Sequence, residues 1–114
     1  MVSAVIVWGT WGLLRDSVRL SLDAVPPAID PQAVRAHLER SPGVSAVHDL
    51  HIWAMSTTET ALTCHLVMPI GHPGDAFVKE LCDDLQHRFG IGHSTVQIEV
   101  GDAGACQLEP EHTV

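Results

Sequence analysis

Residues 1–14 (MVSAVIVWGTWGLL) carry no charged side chain and include Trp8 and Trp11. At about 1.5 Å per helical residue the run reaches roughly 21 Å, short of the ~30 Å hydrocarbon core of a bilayer. Arg15, Asp16, Arg19 and Asp23 follow with no proline before Pro26, so one helix is predicted to pass from an apolar part into an amphipathic part. Two bases directly after an apolar run agree with the cytoplasmic end of a membrane helix. A buried core helix is the alternative reading of so short a run. A secretory signal fits poorly, because no base precedes the run and no clean small-residue cleavage pattern follows it. Residues 1–25 are read as the end of a membrane helix and its linker.

After Pro26 and Pro27 the rhythm changes. Asp30 suits an N-cap with Pro31 at the first helical position, and Ile29 and Val34 occupy the two positions of a hydrophobic staple. This helix is expected to run to about Arg40 and stop at Ser41-Pro42-Gly43. Residues 44–56 (VSAVHDLHIWAMS) alternate through Leu50, Ile52 and Ala54, and residues 60–68 (TALTCHLVM) through Leu62, Cys64, Leu66 and Met68. Two strands with a turn around Thr57-Thr58-Glu59 follow from that alternation. Residues 71–74 (GHPG) break the chain and Asp75 is a candidate cap. Val78, Leu81, Cys82, Leu85 and Phe89 then share one helical face before Gly90 closes the helix. Residues 94–100 (STVQIEV) alternate again, with Val96, Ile98 and Val100 on one side.

The predicted order is helix, strand, strand, helix, strand. A right-handed crossover places the third strand parallel to the second. The fold class is therefore α+β, an αββαβ sandwich with two helices on one face of a three-stranded sheet. The domain spans residues 26–101, and residues 102–114, with three acids and no base, read as a flexible acidic tail.

Composition narrows the chemistry. Fourteen acids against six bases give a net charge of −8, which argues against a nucleic-acid partner, since that needs a basic footprint. Eight histidines outnumber all Lys and Arg, and neutral imidazole is the commonest protein ligand for transition metals. Cys64, Cys82 and Cys106 form no C-x-x-C pair, which fits a reducing compartment better than a disulfide framework or a zinc ribbon. No nucleophile–base pair, phosphate loop or H-E-x-x-H helix marks an enzyme.

Side chains alternate across a strand, so if Leu50 and Ile52 face the helices, His51 and Trp53 face away. The same parity puts His65 opposite Leu66 and Glu99 opposite Ile98. Three strands thus project His51, His65 and Glu99 onto a helix-free face. Imidazoles with a carboxylate suit Zn²⁺ or a similar borderline divalent ion. His48 has core parity unless a bulge turns it outward, and His93 stands free just before the third strand. Cys64 and Cys82 read as core side chains. His87, three and four residues after Asp84 and Asp83, reads as a surface pair on its helix, and Glu80, Asp83 and Asp84 as a solvated face. His37 also lies on a helix, His72 in a loop and His112 in the tail.

Three separated segments carry a family resemblance: Val47-His48-Asp49-Leu50-His51-Ile52-Trp53, Cys64-His65-Leu66, and His93-Ser94-Thr95-Val96-Gln97-Ile98-Glu99. In this order, with helices between them, they resemble the cytoplasmic C-terminal domain of cation diffusion facilitator transporters of the cobalt-zinc-cadmium resistance type. Upstream, Leu13-Leu14-Arg15-Asp16-Ser17 and Leu22-Asp23-Ala24-Val25-Pro26 resemble the end of the family's last membrane helix and its linker.

The resemblance implies a ferredoxin-like fold and a homodimeric metal-efflux antiporter of the inner (plasma) membrane, with this domain in the cytoplasm. Such a transporter exchanges Zn²⁺, and often Co²⁺ or Cd²⁺, for protons, and Zn²⁺ at the domain's dimer interface favours the transport-competent arrangement. Carried over by position, His48, His65 and Glu99 match the ligand positions best, with His51 and His93 as weaker matches. Asp23 matches a linker acid that locks the dimer through a salt bridge. The resemblance implies further that the transport-site Asp and His residues lie on earlier membrane helices, so this chain is expected to be a fragment that does not transport by itself. Cys106 stands alone, and no thiolate site is expected there. The first ligand is His51 by alternation and His48 by motif. A soluble ferredoxin-like metal carrier and a ligand-sensing regulatory domain are the other classes; a copper carrier would want an exposed C-x-x-C, which the chain lacks.

Overall fold

The computed structural model describes residues 1–101; the acidic tail, with Cys106 and His112, lies outside the described residues. Six elements follow one another: α1 (Val2–Ser21), α2 (Pro31–Glu39), β1 (Ala46–Ala54), β2 (Thr60–Val67), α3 (Asp75–Phe89) and β3 (His93–Glu99). Helix α1 runs as the sequence predicts, from the apolar stretch into the charged one, and none of its residues is buried. That excludes the core-helix reading within this chain. Among the described residues no helix is long and apolar enough to cross a membrane, because Arg15, Asp16 and Arg19 interrupt the apolar run.

Local signals set the ends of the elements in the domain. The Asp30 carboxylate accepts from the Gln32 amide at 2.9 Å, satisfying one of the orphan donors at the start of α2. At α3 the expectation is corrected. Gly74, with a positive φ of 94°, is the N-cap, and Asp75 is already helical and makes no side-chain cap. Its charge still opposes the positive end of the helix. Gly90, with φ 71°, ends α3 as predicted, and the Ile91 amide donates back to the Leu85 carbonyl.

The sheet order is β1-β2-β3, with β1 antiparallel and β3 parallel to β2, as a strand–helix–strand crossover requires. Leu62, Cys64 and Leu66 of the central strand face the helices and pack with Val34 and Leu38 of α2, Leu81 and Leu85 of α3, and Val47 and Ile52 of β1. Val96 and Ile98 close the core from β3, and Phe77, which the apolar stripe of α3 did not single out, joins it. Each fully buried leucine contributes roughly 1.5–3 kcal/mol of apolar transfer. Both helices cover one face, so the other face of the sheet remains for chemistry.

Candidate metal-binding face

A bulge decides which histidine of β1 reaches that face. The ladder pairs His48 with His65 and His51 with Thr63, three steps along β1 against two along β2, so the register shifts between His48 and His51. Asp49 absorbs the extra residue with φ 51°, a left-handed conformation that Asp tolerates better than most residues. Val47 and Ile52 therefore both face the core, although they lie five residues apart, and His48 joins His51 on the helix-free side. Both residues thus lie on the face to which alternation alone assigns only His51.

Glu99 ties the face together from β3. It is the register partner of Val67, and its carboxylate reaches two imidazoles: Oε1 lies 2.9 Å from His65 Nδ1 and Oε2 lies 3.5 Å from His48 Nε2. The 2.9 Å separation suits a hydrogen bond from His65 Nδ1 to the carboxylate, and in the neutral tautomer with that hydrogen on Nδ1 the lone pair is on Nε2. A carboxylate that orients an imidazole in this way also raises its basicity as a ligand. The His48 side chain is only 6% exposed, whereas that of His51 is 69% exposed.

Asp49, which the sequence reading left without a role, sits between the remaining pair. Its Oδ1 is 3.4 Å from His51 Nε2 and its Oδ2 is 3.9 Å from His65 Nε2. The signal for it was an acid flanked by His48 and His51 inside a strand. His93 is not brought into this group. It pairs in register with Ala61, six residues or roughly 20 Å along β3 from Glu99, and its Nε2 lies 3.5 Å from Glu59 Oε1. Asp23 is exposed at the end of α1 with φ 49°. It lines a groove with Val25, Leu50, His51, Ile52 and Trp53, and makes no ion pair among the described residues.

The thiols stay apart from this chemistry. Cys64 faces the core on the side of β2 opposite His65, and burial, with a smaller push from Cys82, raises its pKa from 9.0 to about 12. Cys82 is also raised, by burial first and then by Asp83. A protonated thiol is not a metal ligand. The other histidines serve the helices. His37 Nε2 lies 3.6 Å from Asp84 Oδ2, and its ring meets Phe89 edge-on, joining α2 to α3. His87 meets the Asp83 carbonyl at 2.7 Å rather than either acid side chain, and Asp84 meets His37 and Arg88.

Within the single chain, no three His, Cys, Asp or Glu side chains among the described residues are arranged to hold a metal ion. The donors fit in kind, since two imidazoles and a carboxylate are what Zn²⁺ and its neighbours take. Here they bond to one another instead.

Comparison with known proteins places these features in a family. Residues 26–100 match the model of the cation efflux protein cytoplasmic domain. The chain is 37% identical over 92 residues to the metal cation efflux system protein CzcD of Cupriavidus metallidurans, covering 80% of this chain and 29% of that protein. It is 33% identical over 112 residues to a human proton-coupled zinc antiporter, covering 93% of this chain and 30% of the antiporter. The chain thus spans less than a third of the length of these relatives. The solved metal-bound C-terminal domain of the Cupriavidus metallidurans CzcD transporter superposes with a TM-score of 0.57 at 34% identity, over 63% of this chain and all of that one. The CzrB structure, at 24% identity and a TM-score of 0.56 over 69% of this chain and all of that one, shares the fold. The chain belongs to the cation efflux protein family, its residues 26–100 matching that family's cytoplasmic-domain model.

Proposed function

We propose that this chain is the regulatory and dimerisation part of a divalent metal cation efflux transporter, which moves Zn²⁺, Co²⁺ or Cd²⁺ out of the cytoplasm in exchange for protons. The observation that carries the reading is the gathering of His48 and His65 around Glu99 on the sheet face that no helix among the described residues covers. His48, His65 and Glu99 are the principal ligands in this reading, with Asp49 and His51 beside them. His93 lies too far along β3 to share that ion within one protomer. A second protomer, meeting this face with its own, supplies the donors that a single chain does not converge.

Zn²⁺ that binds only the closed pair shifts the population toward it by mass action. The shift passes to the membrane part through the linker, where Asp23 forms a salt bridge across the dimer. Membership of the family, and likeness to a metal-bound C-terminal domain, support the reading. The protein then lies in the inner membrane with this domain in the cytoplasm.

The test is Zn²⁺ titration of the full chain in mild detergent, with light scattering to follow its mass. Wild type binds Zn²⁺ and shifts toward the dimer, and His65→Ala and Glu99→Gln each weaken both effects. Unchanged binding in both variants removes the site assignment, and no Zn²⁺ binding by wild type removes the metal reading in favour of a ligand-sensing domain.

A further inference from the structure

The end of α1 and the β1–β2 turn enclose a cleft of about 340 Å³ that the metal chemistry leaves unused. Arg15 and Arg19, one helical turn apart, line one wall, and Ser56, Thr57 and Thr60 line the other. Two of the six bases in a chain of net charge −8 thus face a single concavity. Asp16 also lines it and takes Arg15 at 3.4 Å, an exposed pair of little strength. Arg19 makes no ion pair among the described residues. Guanidinium forks with hydroxyl donors are the groups that recognise phosphate oxygens.

Position names the source of the phosphate. The bases begin immediately after fourteen uncharged residues, and within that stretch Val5, Ile6, Trp8, Trp11, Leu13 and Leu14 are all exposed. A helix that carries its apolar surface into a bilayer brings the residues just beyond it to headgroup depth.

We propose that this cleft binds the phosphate-bearing headgroup of an anionic lipid. The headgroup bridges Arg15 and Arg19 to the hydroxyls of the β1–β2 turn and so fixes the domain against the membrane surface. This rests on the reading of α1 as a membrane segment, and the experiment separates the two.

The full chain is floated with vesicles of phosphatidylcholine alone and of phosphatidylcholine mixed with phosphatidylglycerol. Flotation with the neutral vesicles reports the apolar helix; its absence overturns the membrane reading and the headgroup proposal with it. The proposal predicts tighter association with the mixed vesicles, by about thirtyfold if two basic contacts give roughly 1 kcal/mol each. It also predicts slower amide exchange over residues 56–60 with the mixed vesicles only. Arg15→Gln with Arg19→Gln abolishes both differences and leaves neutral-vesicle flotation intact, while Arg35→Gln with Arg40→Gln retains both. Equal losses in the two double variants, or unchanged exchange at the turn, mean diffuse charge attraction and overturn the proposal. Saturable slowing of exchange at the turn by inorganic phosphate without vesicles identifies a soluble phosphate site and overturns the lipid assignment.

Discussion

His48 stands directly across the ladder from His65, although alternation counted back from Ile52 assigns it to the opposite face of β1. The single left-handed residue between them, Asp49, makes the difference. Without that bulge Glu99 would reach one imidazole of the pair, not two.

Asp49 is therefore the residue whose backbone can be tested apart from its charge. Asp49→Gly, permissive at positive φ, keeps the bulge and the proximity of the His48 and His65 rings in NMR spectra. Asp49→Val, branched and strained there, costs about 1–2 kcal/mol in urea denaturation. Loss of the ring proximity in the glycine variant would show that the carboxylate, not the backbone, holds the bulge.

A second backbone test lies at the end of α3. A Cβ at Gly90 meets nothing within 4 Å, so Gly90→Ala is penalised only by the φ of 71°, by about 1–2 kcal/mol. Gly92→Ala, also in open space but without a positive φ, leaves the denaturation midpoint unchanged or raises it slightly.

The core is small, and each central side chain counts. Leu66 is fully buried between the two helices and its neighbouring strands. Leu66→Ala is expected to cost about 2–5 kcal/mol, as a lost side chain plus the cavity it leaves. Much of the stability of so small a domain goes with it, and calorimetry should show a melting transition lowered by several degrees or lost.

The Cys64 thiol supplies a pH dependence with a definite sign. Folding raises its pKa from 9.0 to about 12, so the unfolded chain releases this proton first as pH rises. The stabilisation is complete below pH 9 and is lost between 9 and about 12. Urea midpoints should fall from pH 8 to pH 10.5, and should fall less in Cys64→Ala. A thiol reagent should label Cys82, which is partly exposed, faster than Cys64 in the folded protein.

Within the proposed site, distance sorts the histidines. His93→Ala should leave Zn²⁺ affinity unchanged while His65→Ala reduces it, both read by competition with a metal-sensitive dye. Acidification through the range in which imidazole takes up a proton weakens binding in wild type, because a coordinating nitrogen must be unprotonated.

Periodicity and punctuation determined the order of elements. The Asp30 cap, the Gly90 stop and the alternation through Leu62, Cys64 and Leu66 are local rules, legible wherever they occur. The same alternation put His65 and Glu99 on the helix-free face, because β2 and β3 are regular. Tertiary structure alone decided what depends on cross-strand register and on which groups compete for a partner. The bulge that turns His48 outward is absorbed by one residue in a conformation that periodicity does not encode. Asp49 gains its place from that bulge, and register sets His93 beside Ala61 and within reach of Glu59. Asp84 meets His37 because two helices pack there. One sequence fixes where each side chain lies along its own element; only the assembled sheet fixes what lies across from it.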